Sequence, residues 1–235
     1  METIETSRVS DGGIAPLKRG SMEQEHGLRE RIVAYAGPRF FEEGFSRITT
    51  EELSRELGIS KKTLYREFGT KEEIVRAVVR RQLATVEREL AEVFEDESRC
   101  FVERLSAQLR VASRILNTLG KPFLRDLARY APELWQEIQE FRHQRVFSRL
   151  EGIIQRGKDE GMIRPETDPR MLVTIITTVA DNLLVPSKLA ELDLVPQEVI
   201  RHMGMLVSQG ILTVEGQKRF DGLDELTSKG GRKDG

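Results

Sequence analysis

Residues 49–71, TTEELSRELGISKKTLYREFGTK, restrict what this chain can fold into more than any other stretch. Thr49 or Thr50 can cap a helix, and Glu52 stands three residues after Thr49, the spacing of a capping box. Leu53 and Leu57 lie one turn apart and form an apolar stripe. Gly58 occupies the place where a helix ends in a left-handed residue, and Ile59 anchors the turn. Ser60 then caps a second helix, expected from Lys61 to Phe68, whose Leu64 and Phe68 repeat at i, i+4 and face inward. The opposite face carries Lys61, Lys62, Tyr65 and Arg66. Two short helices on a tight turn, the second with a basic outer face, are a helix-turn-helix. Its second helix enters the DNA major groove N-terminal end first.

The side chains on that face suit phosphate and base edges. Phosphates are met by Lys, Arg, Ser, Thr and Tyr side chains and by backbone N–H groups at helix starts. Ser60, Lys61, Lys62 and Thr63 crowd the start of the second helix, and Tyr65 lies one turn on from Lys61. Thr70 caps a further helix, with Glu73 at capping-box spacing and Lys71 in its first turn. From Arg55 to Lys71 five basic residues stand against two acidic ones, whereas the whole chain of 235 residues has a formal net charge of −2. Any positive field is therefore local. A solvated helical hairpin would share the turn spacing. The ordered set of caps, glycine, apolar positions and basic face is what points to DNA.

The same residues resemble the tetracycline-repressor family of bacterial regulators. The family pattern is matched by Gly44-Phe45, Thr49, Gly58-Ile59-Ser60, Thr63-Leu64-Tyr65, Phe68 and Lys71. The match is dense over residues 28–75 and rests on layout beyond them. The resemblance implies that Thr49, Thr63, Tyr65 and Lys71 contact phosphates and that Lys61 and Lys62 lie nearest the base edges. Two departures stand out. Lys62 replaces a residue that is often glycine in the family, which favours a side-chain contact there. Gly37-Pro38 interrupts the first helix, and proline inside a helix removes one hydrogen bond and kinks or breaks it.

The rest of the chain reads as all-α, in four parts. Residues 1–22 form a disordered tail, 23–70 the helix-turn-helix domain, 71–218 a helical regulatory and dimerisation domain, and 219–235 a second disordered tail rich in Gly, Lys and Asp. A helix from Lys71 to about Phe94 is long enough to act as a strut. A single long helix is expected from Pro132 to the Gly161 region, carrying Trp135, Ile138, Phe141, Val146, Leu150, Ile153 and Ile154. Asp168 caps the next helix, with Pro169 at its first position. Met171–Leu184 sets apolar residues in adjacent pairs, and Val195–Leu212 is similarly broad. Apolar arcs of that width must be covered on more than one side, either wholly by the core, as in two ordinary core helices, or by the core on one side and a partner on the other, which the symmetric dimers usual for a helix-turn-helix favour. Ile176, Val179, Leu183, Val199, Met203 and Leu206 are the candidate dimer contacts. The resemblance implies that two subunits join through their last two long helices as a four-helix bundle. It also implies an effector pocket in the C-terminal domain. Leu105, Leu109, Phe123, Trp135, Ile138, Phe141 and Ile175 are the candidate lining, suited to a mostly apolar small molecule of unknown identity.

Several chemistries lack a motif. The three histidines, His26, His143 and His202, are far apart, and no Cys/His/Asp/Glu cluster has metal-ligand spacing. No phosphate-binding glycine loop or nucleophile elbow appears, so no cofactor, metal or catalytic residue is expected. One cysteine, Cys100, fits a reducing cytoplasm, and the first twenty residues lack the apolar segment of a secretory signal. The longest apolar stretch, Met171 to Val185, is interrupted by Thr174, Thr177, Thr178, Asp181 and Asn182 and is too short to span a bilayer. The expectation is a cytoplasmic homodimeric repressor that binds a palindromic double-stranded DNA operator and is released by a small effector. An architectural or division-control protein on the same scaffold, without an effector, would carry the same reader. An all-α enzyme is the remaining class.

Overall fold

The computed structural model describes residues 19–96 and 98–229. Residues 1–18 and 230–235 of the two expected tails lie outside the described residues. Within them every regular element is helical, apart from one isolated antiparallel bridge between Ile163 and Leu212.

The helix-turn-helix folds as its sequence predicts. Helix α1 (Arg19–Glu43) buries Ile32, Val33, Ala36 and Phe40. It runs unbroken through Pro38. The carbonyl of Ala34 loses its helical donor there. Ala34 and Pro38 are both exposed, so water can take that carbonyl and the interruption is tolerated. Helices α2 (Thr50–Glu56) and α3 (Lys61–Glu67) pack on α1 and on the start of α4 (Lys71–Glu95) through Ile48, Leu53, Leu64, Phe68 and Ile74. The same cluster continues through Val75, Val78 and Val79 into Phe123 and Leu127 of α6 (Lys121–Tyr130) and Leu134 of α7 (Pro132–Phe141). The core thus passes across the division expected at residue 70.

Two further clusters build the C-terminal part. Phe101 and Val102 of α5 (Phe101–Asn117) meet Ile153 and Ile154 of α8 (Leu150–Asp159), together with Met162, Ile163, Leu212 and Phe220. Leu124 of α6 meets Ala180 of α9 (Pro169–Leu183), Leu189 of α10 (Pro186–Glu191) and Val199 of α11 (Pro196–Ile211). Asp168 caps α9 as expected, its side chain accepting from the backbone of Met171 at 2.9 Å.

Three expectations are corrected. The long helix from Pro132 to Gly161 is divided: α7 ends at Phe141, a π-helical turn covers Arg142–Val146, and a short 3-10 turn at Phe147–Arg149 leads into α8. The apolar spacing of five between Phe141 and Val146 is the trace of that inserted residue. The tail expected from residue 219 is replaced by α12 (Val214–Lys229), because Phe220 supplies an apolar anchor that a stretch of Gly, Lys and Asp conceals. Helices α10 and α12 therefore add to the two long helices expected at the C-terminal end.

Candidate nucleic-acid interface

The reader is assembled from its caps outward. Thr49 and Glu52 form a reciprocal box: the Thr49 side chain accepts from the Glu52 backbone at 3.2 Å, and the Glu52 carboxylate accepts from the Thr49 backbone at 2.7 Å. That N–H is the main reason the Glu52 carboxyl is held below the usual carboxylate range. Gly58 has φ +67°, a left-handed conformation that an L side chain resists, and it lets Ile59 donate back to the Ser54 carbonyl at 3.0 Å. Ser60 caps α3 by accepting from the Thr63 backbone at 3.0 Å. Thr70 caps α4 by accepting from the Glu73 backbone at 3.2 Å. The second box is shifted from the expected one, since the Glu73 carboxylate takes the Gly69 N–H at 3.0 Å.

With Leu64 and Phe68 buried, α3 must turn its other side outward. Lys61, Lys62 and Arg66 are exposed there, and Tyr65 is 44% exposed. Tyr65 and Lys61 are not free rotors. The Tyr65 hydroxyl shares a 3.0 Å hydrogen bond with Thr50 Oγ1, which fixes the ring at the junction of α2 and α3. Lys61 pairs with Glu51 of α2, which holds the Glu51 carboxyl low and raises Lys61. Thr63 is half-buried, and its hydroxyl lies 2.8 Å from that of Ser60. Thr49 is exposed at the start of α2. Lys71 is half-buried, and burial pushes its ammonium pKa down. It lines a cleft of about 330 Å³ with Ser46, Arg76, Tyr130 and Leu134, between the reader and α6–α7.

Two contacts on this face left little mark in the sequence. Glu51 reads as a helix-start carboxylate, yet its partner is Lys61, ten residues away across the turn. Arg29 of α1 stacks 3.9 Å above the Phe68 ring and bonds to the Glu67 carbonyl, closing the C-terminal end of α3.

The residues expected to line an effector pocket do not converge. Phe123 is fully buried in the first cluster, with Trp135 and Ile138 packed against it. Leu105 and Leu109 pack against the second cluster, and Phe141 is half-buried beside the π turn. Ile175 is 54% exposed. Besides the cleft at Lys71, a groove of about 640 Å³ runs between α1, α4 and the end of α5, lined by Pro38, Phe41, Arg81, Gln82, Thr85 and Asn117. None of the seven expected residues borders either space. Of the six expected dimer contacts, Val199 is buried in the third core cluster of the single chain. Leu183 and Met203 pack against that cluster, Ile176 and Val179 are half-buried, and Leu206 is 74% exposed. Among the described residues no group of three or more His, Cys, Asp or Glu is placed to hold a metal ion, and no helix is long and apolar enough to cross a membrane.

Residues 39–78 match the family described as bacterial regulatory proteins, tetR family. An uncharacterised HTH-type transcriptional regulator of Bacillus subtilis (strain 168), YvaF, is 29% identical over 114 residues, which are 48% of this chain and 60% of that protein. The chain thus spans about 60% of that relative's length. A transcriptional regulator from Saccharomonospora viridis, solved in complex with choline, superposes with a TM-score of 0.62 at 16% identity, covering 80% of this chain and 99% of its own. A TetR-family regulator from Marinobacter aquaeolei VT8 gives a TM-score of 0.61 at 24% identity, covering 84% and 97%. At these identities the structural likeness bears on the fold.

Proposed function

We propose, from the match of residues 39–78 to the tetR family of bacterial regulatory proteins, that this chain is a DNA-binding transcriptional regulator of the cytoplasm. It acts as a homodimer on a palindromic operator and is released by a small molecule. The observation that carries the reading is the outward face of α3. Burial of Leu64 and Phe68 leaves Lys61, Lys62 and Tyr65 exposed on one side of a capped helix. Lys62 has no side-chain partner among the described residues and is the reader's base-edge candidate, while Thr49, Ser60, Thr63, Tyr65 and Lys71 serve the phosphates.

The dimer half of the reading is supported by apolar side chains left exposed on two C-terminal helices, Met171 and Ile175 on α9 and Met205 and Leu206 on α11. Large apolar side chains left exposed suit burial against a second copy, and a two-fold dimer would set two readers on successive half-sites. The choline-bound neighbour of the same fold supports the small-molecule half. A thousandfold loss of operator affinity needs about 4 kcal/mol of coupling between the two sites.

The test is selection of bound fragments from genomic DNA by the full chain, repeated with a Lys62→Ala, Tyr65→Ala double variant. A few palindromic sites, lost with the variant, are expected. Many dispersed sites without a shared palindrome would favour the architectural role. Unchanged binding by the double variant would remove α3 as the reader.

A further inference from the structure

The π-helical turn at Arg142–Val146 holds charged side chains that reach two other helices. Arg145 pairs with Glu87 of α4 at 3.2 Å. His143 Nε2 bonds to Asp181 Oδ2 of α9 at 2.9 Å. Arg142 Nη2 lies 3.6 Å from Asp181 Oδ1, too far for a hydrogen bond. The Arg142 side chain is only 15% exposed, and its guanidinium sits 5.1 Å from the centre of the Trp135 ring. Among the described residues its buried Nε has no polar partner, and its buried Nη2 has only the 3.6 Å ion pair with Asp181 Oδ1, with no hydrogen bond to either nitrogen.

Those two nitrogens are the pair whose N–H bonds leave one edge of the guanidinium in parallel. That edge is the fork that grips a carboxylate with two bonds. Buried donors of a charged group are among the costliest to leave unmade, and a protein that keeps them so has a reason to. Burial pushes the Arg142 pKa down, and the Asp181 charge opposes this only in part. The surroundings are aromatic. Trp135 and Phe141 are half-buried beside the turn, and the His143 and Phe147 rings meet edge to face at 5.3 Å. π-Helical turns recur at functional sites because the inserted residue redirects side chains.

We propose that the Nε/Nη2 edge of Arg142, above Trp135, anchors the carboxylate of a small organic acid, and that such an acid is the effector of this regulator. The effector role rests on the reading given under Proposed function. The bound carboxylate takes the fork and repels Asp181, which is left to His143, its present partner. The turn carries the change to α4 through Arg145 and Glu87. Helix α7 carries it through Glu137, which holds Arg76 at 2.7 Å and Arg80 at 3.2 Å. The acid can shift the readers only as far as it binds one arrangement better than the other.

Trp135 is the only tryptophan in the chain, so its emission reports on this site directly. The full-length protein is titrated with sodium benzoate and sodium hexanoate, with the matched neutral amides benzamide and hexanamide, and with inorganic phosphate. The same titrations are made with Arg142→Gln and Arg142→Lys, each checked for fold by circular dichroism. A saturable change with at least one carboxylate is expected, with its amide binding roughly tenfold to a hundredfold more weakly. Arg142→Gln should weaken the carboxylate most and Arg142→Lys less but clearly, since lysine keeps the charge but lacks the fork. Acid and amide binding alike, variants that retain the acid, or no saturable change with either acid would overturn the anchor. Phosphate binding as tightly as the acids would overturn the ligand class. Release of selected operator DNA by the bound acid is expected, and binding without release would overturn the effector role alone. Binding of DNA measured without any acid tests the regulator reading separately.

Discussion

Replacing Asp126 with alanine probes how the reader is held on the C-terminal helices. Asp126 belongs to α6 and is 6% exposed. Its Oδ2 accepts the Ser46 backbone N–H at 2.6 Å and its Oδ1 accepts the Ser46 hydroxyl at 2.8 Å, 80 residues away in sequence. Ser46 sits in the turn between α1 and α2, so these two bonds tie the reader's first turn to α6. A hydrogen bond to a charged acceptor contributes about 1.5–3 kcal/mol. Ser46 itself is exposed, so both of its donors regain water when the carboxylate is removed, which lowers the loss to about 1–1.5 kcal/mol each. Asp126→Ala should therefore cost roughly 2–3 kcal/mol, and Ser46→Ala, which loses only the hydroxyl bond, about 1 kcal/mol. The double variant should cost little more than Asp126→Ala, leaving a coupling near 1 kcal/mol. Urea unfolding followed by circular dichroism at fixed protein concentration measures this as a shift in midpoint with unchanged slope. An Asp126→Ala loss below about 0.5 kcal/mol, or single losses that add in full, would refute the argument.

Gly44 has φ +84°, and a β-carbon there would stand 2.7 Å from Asp126 Oδ2; Gly44→Ala should therefore destabilise by roughly 1–3 kcal/mol in the same unfolding assay. Glu51→Gln frees Lys61 from its ion pair, so affinity for non-specific DNA should rise and the salt dependence should steepen by up to about one unit in anisotropy titrations; an unchanged slope would take Lys61 out of the DNA contact. Tyr65→Phe removes the hydroxyl that Thr50 now orients, and should weaken binding to all sequences alike by about 0.5–1.5 kcal/mol. Leu206→Arg should give a folded monomer in sedimentation, because Leu206 is exposed in the single chain. Val199→Arg should fail to fold stably, because Val199 lies in the core; a folded Leu206→Arg dimer would place the interface elsewhere.

The features legible in residue order are those built from neighbours in the chain. The caps at Thr49, Ser60, Thr70 and Asp168, the turn at Gly58 and the inward pair Leu64 and Phe68 each depend on contacts within a few residues, so their spacing carries the answer. The basic face of α3 follows from that local geometry, because burying one side of a helix fixes the other. Tertiary structure decided whatever depends on how helices meet. An apolar stripe does not say which of several surfaces covers it, so Phe123 and Val199 went to the core while Ile175 and Leu206 stayed exposed. Pro38 stayed inside α1 because that side of the helix faces water, a fact of packing rather than of proline. The pairs Ser46–Asp126, Arg145–Glu87 and His143–Asp181 join residues between 38 and 80 positions apart, and a chain that long between two partners leaves no period to read. The π turn lies between these cases. Its step of five was visible in the spacing of Phe141 and Val146, but only the packing against α9 gave Arg142 its buried and unfilled edge.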